Sequence, residues 1–328
     1  MKTYLLPEQG TFYKANLHCH TTFSDGWAAP EEIRARYLAE GYSIVAFTDH
    51  DVLVPHPELR TEDFLPLSGT ELTVAENGNP RDRGAKQVHL GCIALEENTV
   101  CTPCFDAQAV WIKHDALCPL AKPDPGTADV PRRYGAENIN RIIAAVRQAG
   151  FFVTYNHPDW SLEEQEDFRD YDGMNAMEIY NTHCDLAGYE TYQPHAYDAI
   201  LRRGRNIFCL ATDDNHNRLA AQDSFGGWVM IKAEKLDYRT VTKALEAGSF
   251  YASQGPEIFA LYLEDGEIHV ECSEASRIRF TTAIRHRKLE VGEALTHSSF
   301  AVTEADRYVR VTVTDRFGRN ANTNAYFL

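Results

Sequence analysis

Short apolar segments alternate with helical patterns over roughly the first two-thirds of the chain. Seven of these segments are rich in β-branched and aromatic residues and end in polar ones, which is typical of buried strands. In order, they are KANLHCH, SIVAFTDH, LPLSGTEL, QVHLGCIAL, FFVTYNHP, AMEIYN and IFCLATDD. Buried strands that alternate with helices predict a parallel α/β fold, open or closed into a barrel, and seven strands favour closure.

The segments between these strands carry helix start and stop signals. PEEIRARYLAEG places Pro30 at a helix start, acidic residues in the first turn and Gly41 just after the helix end. AENINRIIAAVRQAG repeats this pattern before the fifth strand, and PHAYDAILRRG repeats it before the seventh. In folds of this class the reactive groups lie at the carboxyl ends of the strands. Candidate chemistry is therefore expected at the strand ends.

Two regions depart from this alternation. Residues 96–135 form a long, irregular, proline-bearing insertion, which we predict to be a cap over the site. After residue 254, IFALYLEDGEIHVEC alternates apolar and polar residues around Asp265-Gly266, a strong hairpin signal. We therefore predict a barrel domain at 1–254 and a small, antiparallel, β-sandwich-like domain at 255–328.

Composition narrows the class of protein. The 328 residues carry a formal net charge of −16, which argues against extended binding of nucleic acid. No apolar run has the length of a membrane-spanning helix, and the first residues lack the apolar core of a secretory signal. Eight cysteines are scattered without a dense framework, which favours a reducing, cytoplasmic setting.

Histidine and acidic residues gather at the predicted strand ends. Residues i and i+2 of a strand point to the same side, so His18 with His20, and Asp214 with His216, can each present two ligands to one cavity. A single histidine at a strand end is usually only a polar residue. The placement of several histidine and acidic residues at successive strand ends favours a metal site. The full set is His18, His20, Asp25, His50, Glu71, His89, His157, Asp214 and His216. Imidazole with carboxylate suits zinc, manganese or iron, and nine ligands predict two or three divalent ions with a bridging carboxylate.

The ordered motifs NLHCHTTFSDG, AFTDHD, GTEL, VHLG, NHP and DNH resemble those of the PHP (polymerase and histidinol phosphatase) family of metal-dependent phosphoesterases, over roughly residues 14–216. The resemblance implies a distorted (βα)7 barrel with a di- or trinuclear metal cluster at the carboxyl ends of the strands. It also implies three sets of ligands, in which Glu71 bridges the first two ions: His18, His20, Glu71 and Asp214; then Glu71, His89 and His157; then Asp25, His50 and His216. Asp25 stands where some members carry histidine. In the doublet Asp213-Asp214, the Asp-x-His spacing selects Asp214.

A polynuclear site of this kind suits hydrolysis of a small-molecule or nucleotide phosphomonoester by a metal-activated hydroxide. The chain has neither a G-x-S-x-G nucleophile motif nor a phosphate-binding P-loop. Three further residues are candidates for catalysis. Asp49, or Asp51 on the other side of His50, would orient an imidazole. His183 would contact substrate or carry a proton, and Arg218 would stabilise charge on the phosphate oxygens. The plain alternatives are a turn cap, a loop histidine and a solvated arginine.

Other functions remain open at this point. An exonuclease or phosphodiesterase acting on short oligonucleotides is the second candidate, since the same cluster cleaves diesters. A metal-dependent amidohydrolase shares the barrel and the ligand types, but no lysine stands at a strand end to bridge metals. A binding protein that keeps the metal as a scaffold is a further class, which the complete ligand set disfavours. The acidic balance favours a small phosphorylated substrate, and the sequence does not indicate an oligomeric state.

Overall fold

A computed structural model describes residues 2–108, 121–217 and 223–328. Its helices are α1 (Pro30–Ala39), α2 (Ala136–Gln148), α3 (Gln165–Phe168), α4 (Thr182–Leu186), α5 (Pro194–Arg202) and α6 (Tyr238–Glu246). Its strands are β1 (Thr3–Tyr4), β2 (Thr11–Asn16), β3 (Ile44–Phe47), β4 (Leu65–Ala75), β5 (Gln87–Ala94), β6 (Phe151–Tyr155), β7 (Ala176–Asn181), β8 (Phe208–Thr212), β9 (Trp228–Ala233), β10 (Phe250–Ser253), β11 (Ile258–Glu264), β12 (Glu267–Thr282), β13 (Lys288–Ala301), β14 (Tyr308–Thr314), β15 (Asn320–Thr323) and β16 (Tyr326–Phe327).

Strands β2 to β8 lie side by side in chain order. The pairs β2–β3, β3–β4, β6–β7 and β7–β8 are parallel, so the prediction of an α/β fold with parallel strands is confirmed. The expectation that all of these strands run parallel is wrong for β5, which is antiparallel to both β4 and β6. The reason is the connection: residues 76–86 join β4 to β5 as a hairpin loop, without the helical crossover that parallel neighbours need.

The first and last strands of this run, β2 and β8, are joined through the residues that follow each of them. The amide of His20 donates to the carbonyl of Asn215 (3.1 Å), and the amide of Asp214 donates to the carbonyl of His18 (3.0 Å). A parallel bridge also joins Cys19 to Asn215. These bonds extend β2 and β8 toward each other and bring the His-x-His and Asp-x-His segments together.

The sheet continues into the C-terminal region. Strand β9 pairs antiparallel with β2 and β10, and β10 pairs with β15. The strands from β11 onward pair antiparallel with one another, as predicted, and β1 near the start of the chain pairs with β11. The division into domains at residues 254 and 255 stays a prediction.

The helix signals act where the sequence places them. Pro30 lies in the first turn of α1, and Gly41 follows its end with a φ of 76°, a conformation that glycine adopts without strain. Helix α2 buries Ile139, Ile142 and Val146 in a core that also contains side chains of β4 to β8. None of the helices in the described ranges has the length and apolar character needed to cross a bilayer.

The described parts of the 96–135 insertion pack beside the loop that follows β3. Thr102 forms a bridge with Pro123 and its hydroxyl accepts from the Leu53 amide (3.0 Å). Arg132 is buried, pairs with Asp51 and donates to the Cys104 carbonyl (2.7 Å). Residues 109–120 of the predicted cap lie outside the described residues.

Candidate metal centre

The nine residues predicted as ligands converge on one cavity, and eight of them are buried, with Asp25 partly exposed. Most of them lie just after the strands of the β2–β8 run. Glu71 and His89 lie within their strands. Strand β5 runs opposite to its neighbours. Its early residue His89 therefore pairs with Thr73, which lies near the carboxyl end of β4.

Glu71 is at the centre of the arrangement. Its two carboxylate oxygens lie 3.2–3.4 Å from a ring nitrogen of each of five histidines: His18, His20, His50, His89 and His157. The Asn156 side-chain amide also donates to Glu71 Oε1 (2.7 Å). A carboxylate accepts about four hydrogen bonds, fewer than the donors that five protonated imidazoles and an amide would supply. This donor set fits divalent cations that share a carboxylate.

Two groups of side chains correspond to sets that the resemblance implies. Ligand atoms of His18, His20, Glu71 and Asp214 lie within 4.8 Å of one another. His20 and His18 approach Asp214 Oδ1 at 3.0 and 3.2 Å. The other group joins His20 to the implied set Asp25, His50 and His216.

The remaining implied set is arranged differently. His89 groups with Glu71 and His50, whereas His157 groups with His18 and Glu178. His157 nevertheless stays 3.3 Å from Glu71. Glu178 was not among the residues predicted for the site. The available signal was that Glu178 is the one charged residue in the buried strand AMEIYN.

Glu178 holds two ligand segments in place. Its Oε1 lies 2.7 Å from His18 Nδ1, and its Oε2 accepts from the backbone amide of His157 (3.0 Å). A carboxylate can only accept, so His18 Nδ1 carries the proton and the lone pair of Nε2 faces Glu71 and Asp214. In the same way, His216 donates from Nδ1 to the Asp214 carbonyl (2.8 Å) and directs Nε2 toward Asp25 (3.3 Å).

Backbone strain accompanies these side chains. Asp214 has a φ of 52° and His157 a φ of 23°, values in a region that non-glycine residues rarely adopt. Conformations of this kind persist where surrounding contacts impose them, and they cluster at functional sites.

The pKa shifts within the cluster also favour the binding of cations. Burial by itself lowers the pKa of His20, but hydrogen bonds to Asp214 and Glu71 outweigh it and raise the pKa to about 10. Burial dominates at His50 and holds its pKa well below the ordinary value. Burial opposes ionisation of Asp25, yet His216 and His50 lower its pKa. The buried carboxylates thus require positive charge at this place, which is the electrostatic condition for binding divalent cations.

The two acids of the doublet have separate surroundings. Asp213 accepts hydrogen bonds from Tyr37 Oη (2.8 Å), Thr182 Oγ1 (2.8 Å) and the backbone amides of residues 225–227 (2.8–3.0 Å). Those bonds satisfy its carboxylate away from the cluster. Only Asp214 approaches the imidazoles, as the Asp-x-His spacing indicates.

The structure does not support a catalytic position for Asp49. Its carboxylate accepts from the Thr21 amide and hydroxyl (both 2.8 Å) and from Ser24 Oγ (2.6 Å), and it is absent from the described residues that line the cavity. Ser24 in turn lies 3.4 Å from His20 Nδ1. Asp49 therefore fixes the loop after β2 and reaches an imidazole only through a serine.

His183 lines the cavity, whereas Arg218 lies outside the described residues. The His183 ring packs at 4.4 Å from the ring of His216. Its Nδ1 lies 3.0 Å from Asp223 Oδ2, and Asp223 also accepts from the His216 amide (2.7 Å). Asp223 was not anticipated, since it lies far from any predicted strand end.

The cluster forms the floor of a cavity of about 550 Å³. Trp160, Leu162 and Tyr189 contribute apolar surface to its wall, and the loop between β4 and β5 contributes Arg81 and Arg83. Within the described ranges, no residue of the 96–135 insertion lines this cavity. The hairpin loop, which carried no signal of its own in the sequence, forms part of the cavity wall, and the cap over the site stays a prediction because residues 109–120 lie outside the described residues.

Comparison with protein families agrees with this site. A family model described as "PHP domain" matches residues 16–208, more than half of the chain. The chain belongs to the PHP domain family. The matched range starts just before the His-x-His segment of this PHP protein and ends at the start of β8.

Three individual proteins match this PHP protein distantly or over a short stretch. A two-domain protein from Bacteroides vulgatus, described as containing a predicted PHP-like metal-dependent phosphoesterase, is 13% identical, with a TM-score of 0.49, over 98% of this chain and 96% of that one. An amidohydrolase from Chromobacterium violaceum is 15% identical, with a TM-score of 0.37, over 62% of this chain and 87% of that one. A 5′-3′ exoribonuclease from Haemophilus influenzae is 45% identical over 40 residues, which cover 12% of this chain and only 15% of that protein.

Proposed function

We propose that this PHP protein is a metal-dependent phosphoesterase that hydrolyses a small-molecule or nucleotide phosphomonoester. The observation that carries the proposal is the convergence of five imidazoles on the Glu71 carboxylate within a family of metal-dependent phosphoesterases. Two or three divalent ions, of zinc, manganese or iron, would lower the pKa of a bound water and neutralise the phosphate oxygens.

The ligand roles that we propose follow from the contacts of each side chain. His18, His20, Glu71 and Asp214 would hold one ion, and Asp25, His50 and His216 another. His89 and His157 approach Glu71 Oε1, the oxygen that His18 also approaches, and complete the set. Glu178 fixes the tautomer of His18, so the lone pair needed for coordination already points inward.

We assign a proton-transfer role to His183. Its Nδ1 donates to Asp223, so Nε2 is the nitrogen available to a group in the cavity. An imidazole held in this way can hold a proton close to the leaving oxygen of an ester. Arg218 remains a proposed contact to the phosphate, from the sequence alone.

The fold and setting are also proposed at a finer level. The hydrogen bonds between the segments after β2 and β8 support closure into a distorted (βα)7 barrel, followed by a separate small β domain. The described cysteines are free thiols, which supports a cytoplasmic protein. The net charge of −16 supports a small phosphorylated substrate in preference to extended nucleic acid or a membrane.

The test is a hydrolysis assay on the purified protein loaded with manganese, zinc or iron. We expect release of phosphate from phosphomonoesters, loss of that activity together with bound metal in His20→Ala, and no change in His195→Ala, an exposed histidine on α5. Turnover of diesters alone would favour the exonuclease or phosphodiesterase alternative. Hydrolysis of amides alone would overturn the phosphoesterase proposal.

A further inference from the structure

The mouth of the metal cavity carries two arginines. Arg81 and Arg83 are exposed residues of the loop between β4 and β5, and they are the only lysine or arginine side chains among the described residues that line the cavity. The chain as a whole is strongly acidic, and the cavity floor holds Asp25, Glu71 and Asp214. A pair of cations at this position therefore contrasts with the charge around it.

The loop that carries the two arginines is internally braced. The side-chain amide of Asn77 donates to Asp82 Oδ2 (2.7 Å), and Asp82 Oδ1 accepts from the Gly84 amide (2.9 Å). The Gln87 amide group donates to the Pro80 carbonyl (3.0 Å), and Glu76 pairs with Lys86 through the backbone (2.9 Å). The carboxylate between the arginines thus shapes the turn, and the backbone at Arg81 and Arg83 is held in place. Preorganisation of this kind reduces the entropic cost of binding a ligand.

The loop is also fixed relative to the metal centre. It joins β4, which carries Glu71, to β5, which carries His89, and these two strands pair in one antiparallel ladder. Lys86 anchors its far end through an ion pair with Asp167 (2.7 Å). The distance between the arginines and the cluster is therefore set by the sheet.

The size of the cavity leaves room for more than the reacting phosphoryl group. Its volume of about 550 Å³ lies within the range of sites for whole small molecules, roughly 300–1,000 Å³. Trp160 packs against His89 and His157 at ring distances of 4.7 and 5.0 Å, and it offers an apolar wall beside the cluster. A substrate that fills this space would extend from the floor to the loop.

We propose that Arg81 and Arg83 form a second anion subsite, so that the preferred substrate carries a second anionic group, a phosphate or a carboxylate, besides the phosphate that is hydrolysed. This inference rests on the proposed phosphoesterase function and specifies its substrate class. Guanidinium groups bind phosphate and carboxylate in a bidentate geometry, which makes arginine suited to this recognition. The subsite acts in binding and takes no part in the chemical step.

The other explanation, that these are ordinary solvated arginines, has a counterpart in the same chain. Arg285 and Arg287 are exposed, have the same spacing and lie in the turn between β12 and β13, and they do not line the metal cavity. The double variant Arg285→Ala/Arg287→Ala therefore changes net charge equally and serves as a matched control for Arg81→Ala/Arg83→Ala.

The experiment compares three series of substrates with increasing chain length: monoalkyl phosphates, alkanediol bisphosphates and phosphorylated hydroxyalkanoates. We expect the wild type to prefer, at one length, an ester with a second anionic group. In Arg81→Ala/Arg83→Ala, kcat/KM for that ester falls roughly 10- to 100-fold, mainly through KM, while the monoalkyl phosphate changes less than about twofold. If the bisphosphates are preferred, the second anionic group is a phosphate, and if the phosphorylated hydroxyalkanoates are preferred, it is a carboxylate. Arg81→Lys/Arg83→Lys keeps part of the preference, and added salt weakens it.

Equal kcat/KM for all three series in the wild type would overturn the inference, as would an equal loss for mono- and dianionic esters in Arg81→Ala/Arg83→Ala. A binding measurement separates this failure from failure of the proposed function. Alkane bisphosphonates cannot be hydrolysed, and calorimetry should show tighter binding of them to the metal-loaded wild type than to the arginine double variant. If no ester is turned over but this difference in affinity persists, the phosphoesterase proposal fails and the anion subsite stands.

Discussion

The substitution Glu163→Gln tests how burial of one carboxyl group controls stability near the metal centre. Glu163 is buried and accepts hydrogen bonds from the hydroxyls of Tyr134 (2.9 Å), Tyr155 (2.7 Å) and Tyr171 (2.6 Å). Its own backbone amide donates to the Pro158 carbonyl (3.1 Å). It therefore ties the segment after His157 to strand β6.

The magnitude follows from the pKa of this group. Burial raises the pKa of Glu163 from 4.5 to about 7, although the three tyrosine hydroxyls act in the opposite direction. Between these two values the folded protein binds a proton that the unfolded chain has lost. The stabilisation is therefore fully present below pH 4.5 and is lost as the pH rises through about 7. A pKa difference of about 2.5 corresponds to a loss of up to about 3 kcal/mol in the free energy of unfolding.

The assay is urea unfolding of metal-depleted protein at pH values from 4.5 to 8, followed by circular dichroism. Glutamine keeps the shape of the side chain and does not ionise, so Glu163→Gln should lose this part of the pH dependence. We expect its stability relative to wild type to rise by about 2–3 kcal/mol between pH 5 and pH 8. The exposed Glu166→Gln variant, which removes the same charge, should follow the wild type. Parallel curves for wild type and Glu163→Gln would refute the argument.

Three further predictions concern groups around the cluster. Glu178→Leu removes the acceptor that orients His18, so metal affinity in a chelator competition should fall roughly 10- to 100-fold, and unchanged affinity would contradict the orienting role. Asp213→Ala leaves several buried donors unpaired, and chemical unfolding should show a loss of about 3 kcal/mol or more, whereas a loss under 1 kcal/mol would count against it. Asp223→Asn weakens the orientation of His183, so kcat should fall by about tenfold with bound metal retained, and a change in KM alone would argue against it.

Local sequence signals predicted the parts of the fold that local chemistry controls. Pro30 and Gly41 bracket α1 because one fixes φ at the first turn and the other adopts a positive φ after the last. The strand AMEIYN was predicted with its observed bounds, Ala176–Asn181. The convergence of His18 with His20, and of Asp214 with His216, could be predicted because polar residues at the ends of apolar strands stand out from their neighbours.

Contacts between segments that are distant in the sequence could not be predicted from local signals. Glu178 serves His18 across 160 positions, and Asp223 reaches His183 from a loop without strand character. Arg81 and Arg83 lie in a turn rich in Asn, Asp and Gly, whose composition indicates a loop but not which cavity it borders. The cap assigned to the 96–135 insertion rests on the length of the segment, and it stays a prediction because residues 109–120 lie outside the described residues.

The reversal of β5 explains why His89 lies with the other proposed ligands although the predicted strand direction was wrong. A parallel strand would bring His89 to the cavity only from its carboxyl end, whereas His89 is the third residue of β5. An antiparallel strand presents its amino-terminal residues at the edge where its neighbours end, so an early histidine reaches the same place. The reversed direction of β5 and the early position of His89 thus have opposite effects on where the side chain lies, and together they bring it to the cavity. For a site of this kind, a polar residue near either end of a strand is a candidate. The length of the connection before the strand indicates whether the strand is parallel or antiparallel, and so which of its ends lies at the site.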